Sequence, residues 1–231
     1  MGTGRSDRAV DLSDPRVLLA AYQQGVFPMS DGPAGEIALY EADPRGVMPL
    51  TEAQGLHVPR SVARVIRSGR FTVTSDLAFE RVVRGCAAPR PDDGVWLSKR
   101  LIAAMVAMHE AGLAHSVEAW RTDPKSGEPV VVGGIYGVSV GRVFCAESMF
   151  CFPRPRNRDG TRHSLDGTDA SKVCLVALIR HLHACGYAVL DIQMVTPHTA
   201  RFGARDVSRR MYLGLIGGLV TAPDAWRPLG A

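Results

Sequence analysis

No apolar run in the 231-residue chain approaches the roughly 18 residues of a membrane-spanning helix. The first fourteen residues are polar rather than a signal sequence. Both absences point to the cytoplasm and away from a membrane. The five cysteines (Cys86, Cys145, Cys151, Cys174, Cys185) are odd in number and form no CxxC pair. That spacing argues against a disulfide framework or structural zinc and for reduced core thiols. The histidines lack metal spacing as well: His181 and His183 stand two apart on an expected helix and share no face, so no metal is expected. His198, in Thr-Pro-His-Thr, is as readily a capping or loop residue as a catalyst. No glycine-rich segment ends in Gly-Lys-Ser/Thr, which excludes a phosphate-binding loop of that kind. Gly-Val-Ser-Val-Gly at 137–141 matches the hydrolase nucleophile elbow in letters only, because no helix follows Ser139. There is no internal repeat. A formal charge of +4 permits an anionic partner without demanding one.

What is present is an ordinary globular composition, 46% hydrophobic and 22% charged. The chain reads around residues 115–150. Three β-branched or aromatic runs there, 116–120, 130–140 and 142–146, predict strands separated by turn-formers. Gly133, Gly134 and Gly137 interrupt the second run, which marks a bulge or a close approach of a ligand to the backbone. Glu147 follows as a lone acid after the third run.

Before that stretch, Ser13-Asp14-Pro15 has the form of a helix start, and the helix over 16–24 stops at Gly25. The turn at 43–46 closes a small N-terminal unit, so the division expected is residues 1–50 and 51–231. Arg60, Arg64 and Arg67 share one face of the next helix, with Arg70 close by. The plain reading is a solvated face. Residues 56–100, however, hold nine Lys/Arg against four Asp/Glu, which favours a surface that meets phosphates. Residues 71–74 read as a strand, and Ser75 or Asp76 as the cap of a helix reaching Cys86. Trp96 beside the loop at 89–94 is core filler or, alternatively, a stacking platform for a base. Helices are expected over 98–111, 170–184 and 207–220, a basic mobile loop over 153–169, and a buried strand running from Tyr187 through Asp191 to Gln193. The fold class is therefore α+β: a central mixed sheet flanked by helices.

Glu147, Asp191 and Gln193 sit at or just past predicted strand ends, where ligands gather in mixed α/β sheets. Asp191 and Gln193, two apart, share a face if the strand continues that far. The competing explanation is a structural ion pair between a buried carboxylate and an arginine such as Arg142 or Arg201.

Several segments in register resemble the leucyl/phenylalanyl-tRNA–protein transferases: Ala21-Tyr22-Gln23-Gln24-Gly25-Val26-Phe27-Pro28-Met29, Ala114-His115-Ser116-Val117-Glu118-Ala119-Trp120, Val132-Gly133-Gly134-Ile135-Tyr136-Gly137, Phe144-Cys145-Ala146-Glu147-Ser148-Met149-Phe150, Ala170-Ser171-Lys172, and Asp191-Ile192-Gln193 with His198-Thr199 and Phe202-Gly203-Ala204. The resemblance implies a small N-terminal domain on an acetyltransferase-like (GNAT) domain. It also implies transfer of Leu or Phe from Leu-tRNA or Phe-tRNA to proteins beginning with Arg or Lys, marking them for degradation. The implied enzyme is a monomer that uses no ATP, metal or other cofactor. It further implies that Asp191, Gln193 and Glu147 form the reaction centre. Ile135, Met149, Leu178, Leu182 and Leu190 would line the aminoacyl side-chain pocket. Trp96 and Met29 would lie near the terminal adenosine, and Arg60, Arg64 and Arg67 would face the tRNA. The chain departs from the resemblance at Met29, where family members often carry Trp, at 39–44, and in a basic insertion before Ala170. Alternatives are the same chemistry with another donor or acceptor, a GNAT N-acetyltransferase, for which the pyrophosphate loop is missing, and a noncatalytic tRNA- or peptide-binding module.

Overall fold

A computed structural model describes residues 11, 14–31, 36–88 and 97–229. Asp14 caps α1 (Pro15–Gln23) through the Arg16 N–H, with Pro15 in the first turn. Ser13, the other expected cap, lies outside the described residues. β1 (Phe27–Asp31) and β2 (Glu36–Tyr40) pair as an antiparallel ribbon, and β3 (Arg45–Met48) follows. The chain continues through α2 (Arg60–Arg67), β4 (Thr72–Ser75), α3 (Phe79–Cys86), α4 (Lys99–Glu110), β5 (Ala114–Thr122), β6 (Pro129–Val140) and β7 (Val143–Cys151). It closes with α5 (Ala170–Cys185), β8 (Val189–Asp191), a short α6 (Pro197–Ala200), β9 (Arg205–Val207) and α7 (Arg209–Ile216).

Seven strands form one sheet in the order β4-β5-β6-β7-β8-β3-β9. All neighbours are antiparallel except β7 and β8, whose parallel pairing is made possible by the α5 crossover. This is the mixed α+β sheet expected from the sequence. β3 falls within the first 50 residues yet is a strand of this sheet, pairing with both β8 and β9. The N-terminal segment is thereby tied to the site described below.

Helices cover both faces, which is why the strands read as nearly continuous apolar runs. On one face α1, α3, α4 and α7 pack through Leu18, Tyr22, Val82, Leu101, Met105 and Tyr212. On the other, α2 and α5 pack through Val62, Leu175, Leu178, Ile179 and Leu182.

The glycines of β6 are there for close packing within the chain. A Cβ on Gly133 would meet the Ala170 side chain at 2.5 Å and the Phe150 carbonyl at 2.9 Å. One on Gly137 would collide with the Cys145 carbonyl and the Phe144 ring. The room these glycines leave is filled by neighbouring elements, α5 and β7 at Gly133, β7 at Gly137, and Val82 of α3 with the Val117 carbonyl of β5 at Gly134.

The α3 cap differs from expectation. Ala78 occupies the cap position and makes no side-chain bond. Asp76, at φ 60°, turns its carboxylate to the Ser116 N–H (2.8 Å), the His115 ring (3.0 Å) and the Trp226 indole (2.8 Å). It anchors the C-terminal segment instead of a helix. Residues 152–169 form a loop with its own bonding. Asp166 is buried, accepts from the Arg154 and Thr168 N–H groups, and pairs with Arg162.

Candidate active site

Glu147 lies inside β7, not beyond its end. Tyr136 pairs with Ser148 and Gly137 with Ala146, so Glu147 is the extra residue of a bulge. Bulges re-aim a side chain and shift the alternation by one. That shift is visible here. Val143 and Cys145 face the α1/α3/α4 core, and after the bulge Phe150 does so, while Met149 and Cys151 face α5. Glu147 is left free of the ladder, partly buried, and bonded at Oε1 by the Gln193 Nε2 amide at 3.0 Å.

Asp191 ends β8 and is fully buried. Its carboxylate accepts from Arg45 Nε (2.9 Å) and Nη2 (2.6 Å), the Tyr212 hydroxyl (2.7 Å) and the Gln193 N–H (2.8 Å). The ion-pair partner is Arg45. Arg142 instead donates to the Cys185 carbonyl, and Arg201 lies exposed. Arg45 is itself 1% exposed, also bonds the Gly25 carbonyl (3.1 Å), and lies between the rings of Phe27 and Tyr212. Four donors on one carboxylate leave it no role as a base.

The strand does not run on to Gln193. Its φ of 55° turns the chain, and its carbonyl accepts from the Gly46 N–H at 2.9 Å. A non-glycine residue in this region is held by its surroundings and often marks a functional constraint. Asp191 and Gln193 therefore do not share a face as two strand residues would. The turn aims the Gln193 amide at Glu147.

The Tyr22 hydroxyl completes the enclosure. It is sealed from solvent and reaches the Glu147 carboxyl without closing a bond of good geometry. Burial pushes Glu147 up to about 8; the negative charge of Asp191 adds to this, while Tyr22 and Arg45 oppose it. At neutral pH the carboxyl therefore keeps its proton. Burial raises the Tyr22 hydroxyl and the Cys145 thiol, so both stay neutral.

Leu178 and Leu182 of α5 are buried in one core cluster with Ile135 and Leu190 of the sheet, and Met149 packs against it, opposite Ile135 on the paired strand. The open apolar cleft of about 380 Å³ lies elsewhere, between Val47–Pro49, Ala188–Leu190, Val207 and Leu215; of the five it includes only Leu190. Its lining includes neither Glu147 nor Gln193, although Val47 pairs with Asp191 across the sheet. Arg60, Arg64 and Arg67 are exposed along α2. Arg70 leaves that stripe to bond the Thr168 carbonyl and lie over Phe71. Met29, in β1, packs against the α1/α3/α4 core. Trp96 lies outside the described residues. His198 is half-buried, and burial, then Lys172 and Arg201, hold its pKa low.

Among the described residues, Asp76, His109 and His115 place potential metal-ligand atoms within 4.8 Å of one another. Asp76 already serves three donors, and His115 is stacked under Trp226 at 4.2 Å. The group acts as a clamp for the C-terminal segment. Ser139, the letter-match to a nucleophile, is buried within β6 and bonded to Tyr187 and Asp224.

Sequence reasoning missed Arg45, Tyr22 and Tyr212 as members of this site. Arg45 reads as part of a turn, and its only signal is a charge directly ahead of the apolar segment 46–50.

A family model described as leucyl/phenylalanyl-tRNA protein transferase matches residues 50–217, and one described as the N-terminal domain of the same protein matches residues 13–43. The chain is also similar to proteins named leucyl/phenylalanyl-tRNA–protein transferase. The one from Oleidesulfovibrio alaskensis is 43% identical over 230 residues, covering 95% of this chain and 85% of the relative. That of Novosphingobium aromaticivorans is 41% identical over 204 residues (87% and 69%). That of Rubrobacter xylanophilus is 41% identical over 199 residues (86% and 91%).

Proposed function

The chain belongs to the leucyl/phenylalanyl-tRNA protein transferases, and from that membership we propose that it moves leucine or phenylalanine from its tRNA to the N-terminal amine of proteins beginning with Arg or Lys, tagging them for degradation. We assign it to the cytoplasm as a monomer; no described helix is long and apolar enough to cross a membrane. In this reading residues 51–231 carry the transfer and residues 1–50 complete the site through Tyr22 and Arg45.

The donor is an ester and needs no further activation. The neutral α-amine, with an ordinary pKa of about 7.7–8.0, attacks the ester carbonyl. The C–N bond forms, the C–O bond to the terminal ribose breaks, and a proton passes from nitrogen to the ribose oxygen. Such a reaction is accelerated chiefly by orientation, with acid–base help worth about 10²–10⁴-fold.

The chain Arg45–Asp191–Gln193–Glu147 is the observation that carries this mechanism. Because Gln193 Nε2 is committed to Glu147, its Oε1 is left to accept from the attacking amine. Asp191 fixes the Gln193 backbone and takes no proton. Neutral Glu147 offers its carbonyl to Gln193 and an O–H to a substrate oxygen. An arriving cationic Arg or Lys favours the ionised form, which coupled sites allow. Ile135, Leu178, Leu182 and Leu190 would shape the aminoacyl pocket, with the partly exposed Met149 the side chain that swings to open it. The α2 arginines would meet tRNA phosphates, and Trp96 and Met29 the terminal adenosine.

The test uses purified protein, radiolabelled Leu-tRNA or Phe-tRNA, and peptides beginning with Arg, Lys or Asp. Label is expected on the Arg and Lys peptides. Absence of transfer from any charged tRNA refutes the function, and transfer only to Asp keeps the chemistry while changing the specificity.

A further inference from the structure

The α2 arginines do not end the positive surface. Arg60, Arg64 and Arg67 are exposed and form no ion pair among the described residues. Their Cα atoms span about 10 Å along the helix. Just past α2, Arg70 donates to the Thr168 carbonyl. Arg121 donates to the Ser164 carbonyl (2.7 Å) and to the Arg70 carbonyl (3.1 Å). The loop 152–169 is thereby fastened to the end of α2. Burial first, and then the neighbouring charge of Arg162, hold the Arg70 pKa below its usual value, as expected where cations crowd.

The acids of the loop are spent on partners within it and at the start of α5. Asp166 is 2% exposed and turned inward to Arg154 N–H, Thr168 and Arg162. Asp169 pairs with Lys172 at 2.5 Å, and Asp159 caps its own turn through Thr161. Arg154, Arg156 and Arg158 are exposed. Arg156 Nη1 bonds the Gly160 carbonyl at 2.7 Å, which stiffens the turn.

We propose that loop 152–169 extends the α2 face into one cationic strip that binds the phosphate backbone of the donor RNA beyond its aminoacylated end. The proposal rests on the functional reading above. The strip favours RNA over the acceptor, because an acceptor peptide beginning with Arg or Lys carries the same sign of charge and is repelled. An RNA helix presents a line of phosphates, and three more cations along it raise affinity and steepen its salt dependence.

The experiment compares the intact chain with an Arg154→Gln/Arg156→Gln/Arg158→Gln variant. Binding of deacylated tRNA is measured between 50 and 200 mM salt. Three lost phosphate contacts make the wild type lose about 20- to 40-fold more affinity than the variant over that range. Arg81→Gln/Arg84→Gln, on α3 across the sheet, leaves the slope unchanged. In the transfer assay the triple variant raises the tRNA KM and leaves kcat, and it uses aminoacyl-adenosine, which carries no RNA stem, as well as the wild type does. An unchanged salt slope overturns the proposal, and so does a rise in the peptide KM in place of the tRNA KM. Absence of transfer by the wild type refutes the functional reading instead, since tRNA binding is measured independently of it.

Discussion

Removing Arg45 should destabilise the protein and disarm the site together. Arg45 and Asp191 are 1% and 0% exposed and meet through two contacts of 2.9 and 2.6 Å. Taking away one partner of such a pair leaves an uncompensated buried charge, which costs about 3–5 kcal/mol. Arg45→Ala therefore lowers the melting temperature by about 6–20 °C, at roughly 2–4 °C per kcal/mol for a chain of this size. The Arg45→Met/Asp191→Leu double variant removes both charges and keeps apolar volume, so it regains part of that loss, while the buried Tyr212 hydroxyl and Gln193 N–H stay without their acceptor. It stays inactive in Leu- or Phe-transfer, because the Gln193 N–H has lost its acceptor and the turn at Gln193 its anchor. Thermal unfolding at pH 7 and transfer by the same preparations read both effects. A loss under 1 kcal/mol for Arg45→Ala, or a double variant as unstable as the sum of the single changes, refutes the account. Full activity in the double variant refutes the positioning role of Asp191.

Glu147 carries a pH dependence with a definite sign. The folded carboxyl holds its proton up to about 8 and the unfolded one only to about 4.5, so between these values the folded state binds more protons and stability falls as pH rises. Glu147→Gln lacks that fall: its stability relative to wild type should grow from pH 5 to 8 and level off above, and a constant difference across denaturation curves contradicts the enclosed carboxyl. Tyr22 opposes the raised pKa of Glu147, so Tyr22→Phe should move the alkaline limb of the kcat profile to higher pH; an unmoved limb with lower activity makes Tyr22 merely structural. Asp76→Asn weakens a carboxylate that serves Ser116, His115 and Trp226, for a loss of about 1–3 kcal/mol in unfolding experiments. Its kcat at 25 °C should equal that of wild type, and a matching loss of turnover would place the C-terminal clamp in the reaction.

The sequence alone determined the longer elements and their kind, while the short strands β1, β2, β3 and β9, in stretches that read as loop or turn, are set by their pairing partners. Apolar runs of β-branched residues marked β5, β6 and β7, the wide apolar face marked α5, and Asp14-Pro15 marked the start of α1, because those signals are local and the backbone obeys them locally. Motif resemblance also singled out Glu147, Asp191 and Gln193. What they do to one another was decided only by the tertiary structure. Glu147 read as a residue after a strand because a bulge is a mismatch between two strands and exists in neither alone. Arg45 read as a turn residue because its partner lies 146 positions away. Asp191 could have been a base by its letter; it is a saturated anchor because β3, α7 and the Gln193 turn bring four donors to it. Charge and spacing are written along the chain. Desolvation and hydrogen-bond count, which fix whether a carboxyl anchors a turn or keeps its proton, arise only where distant segments meet.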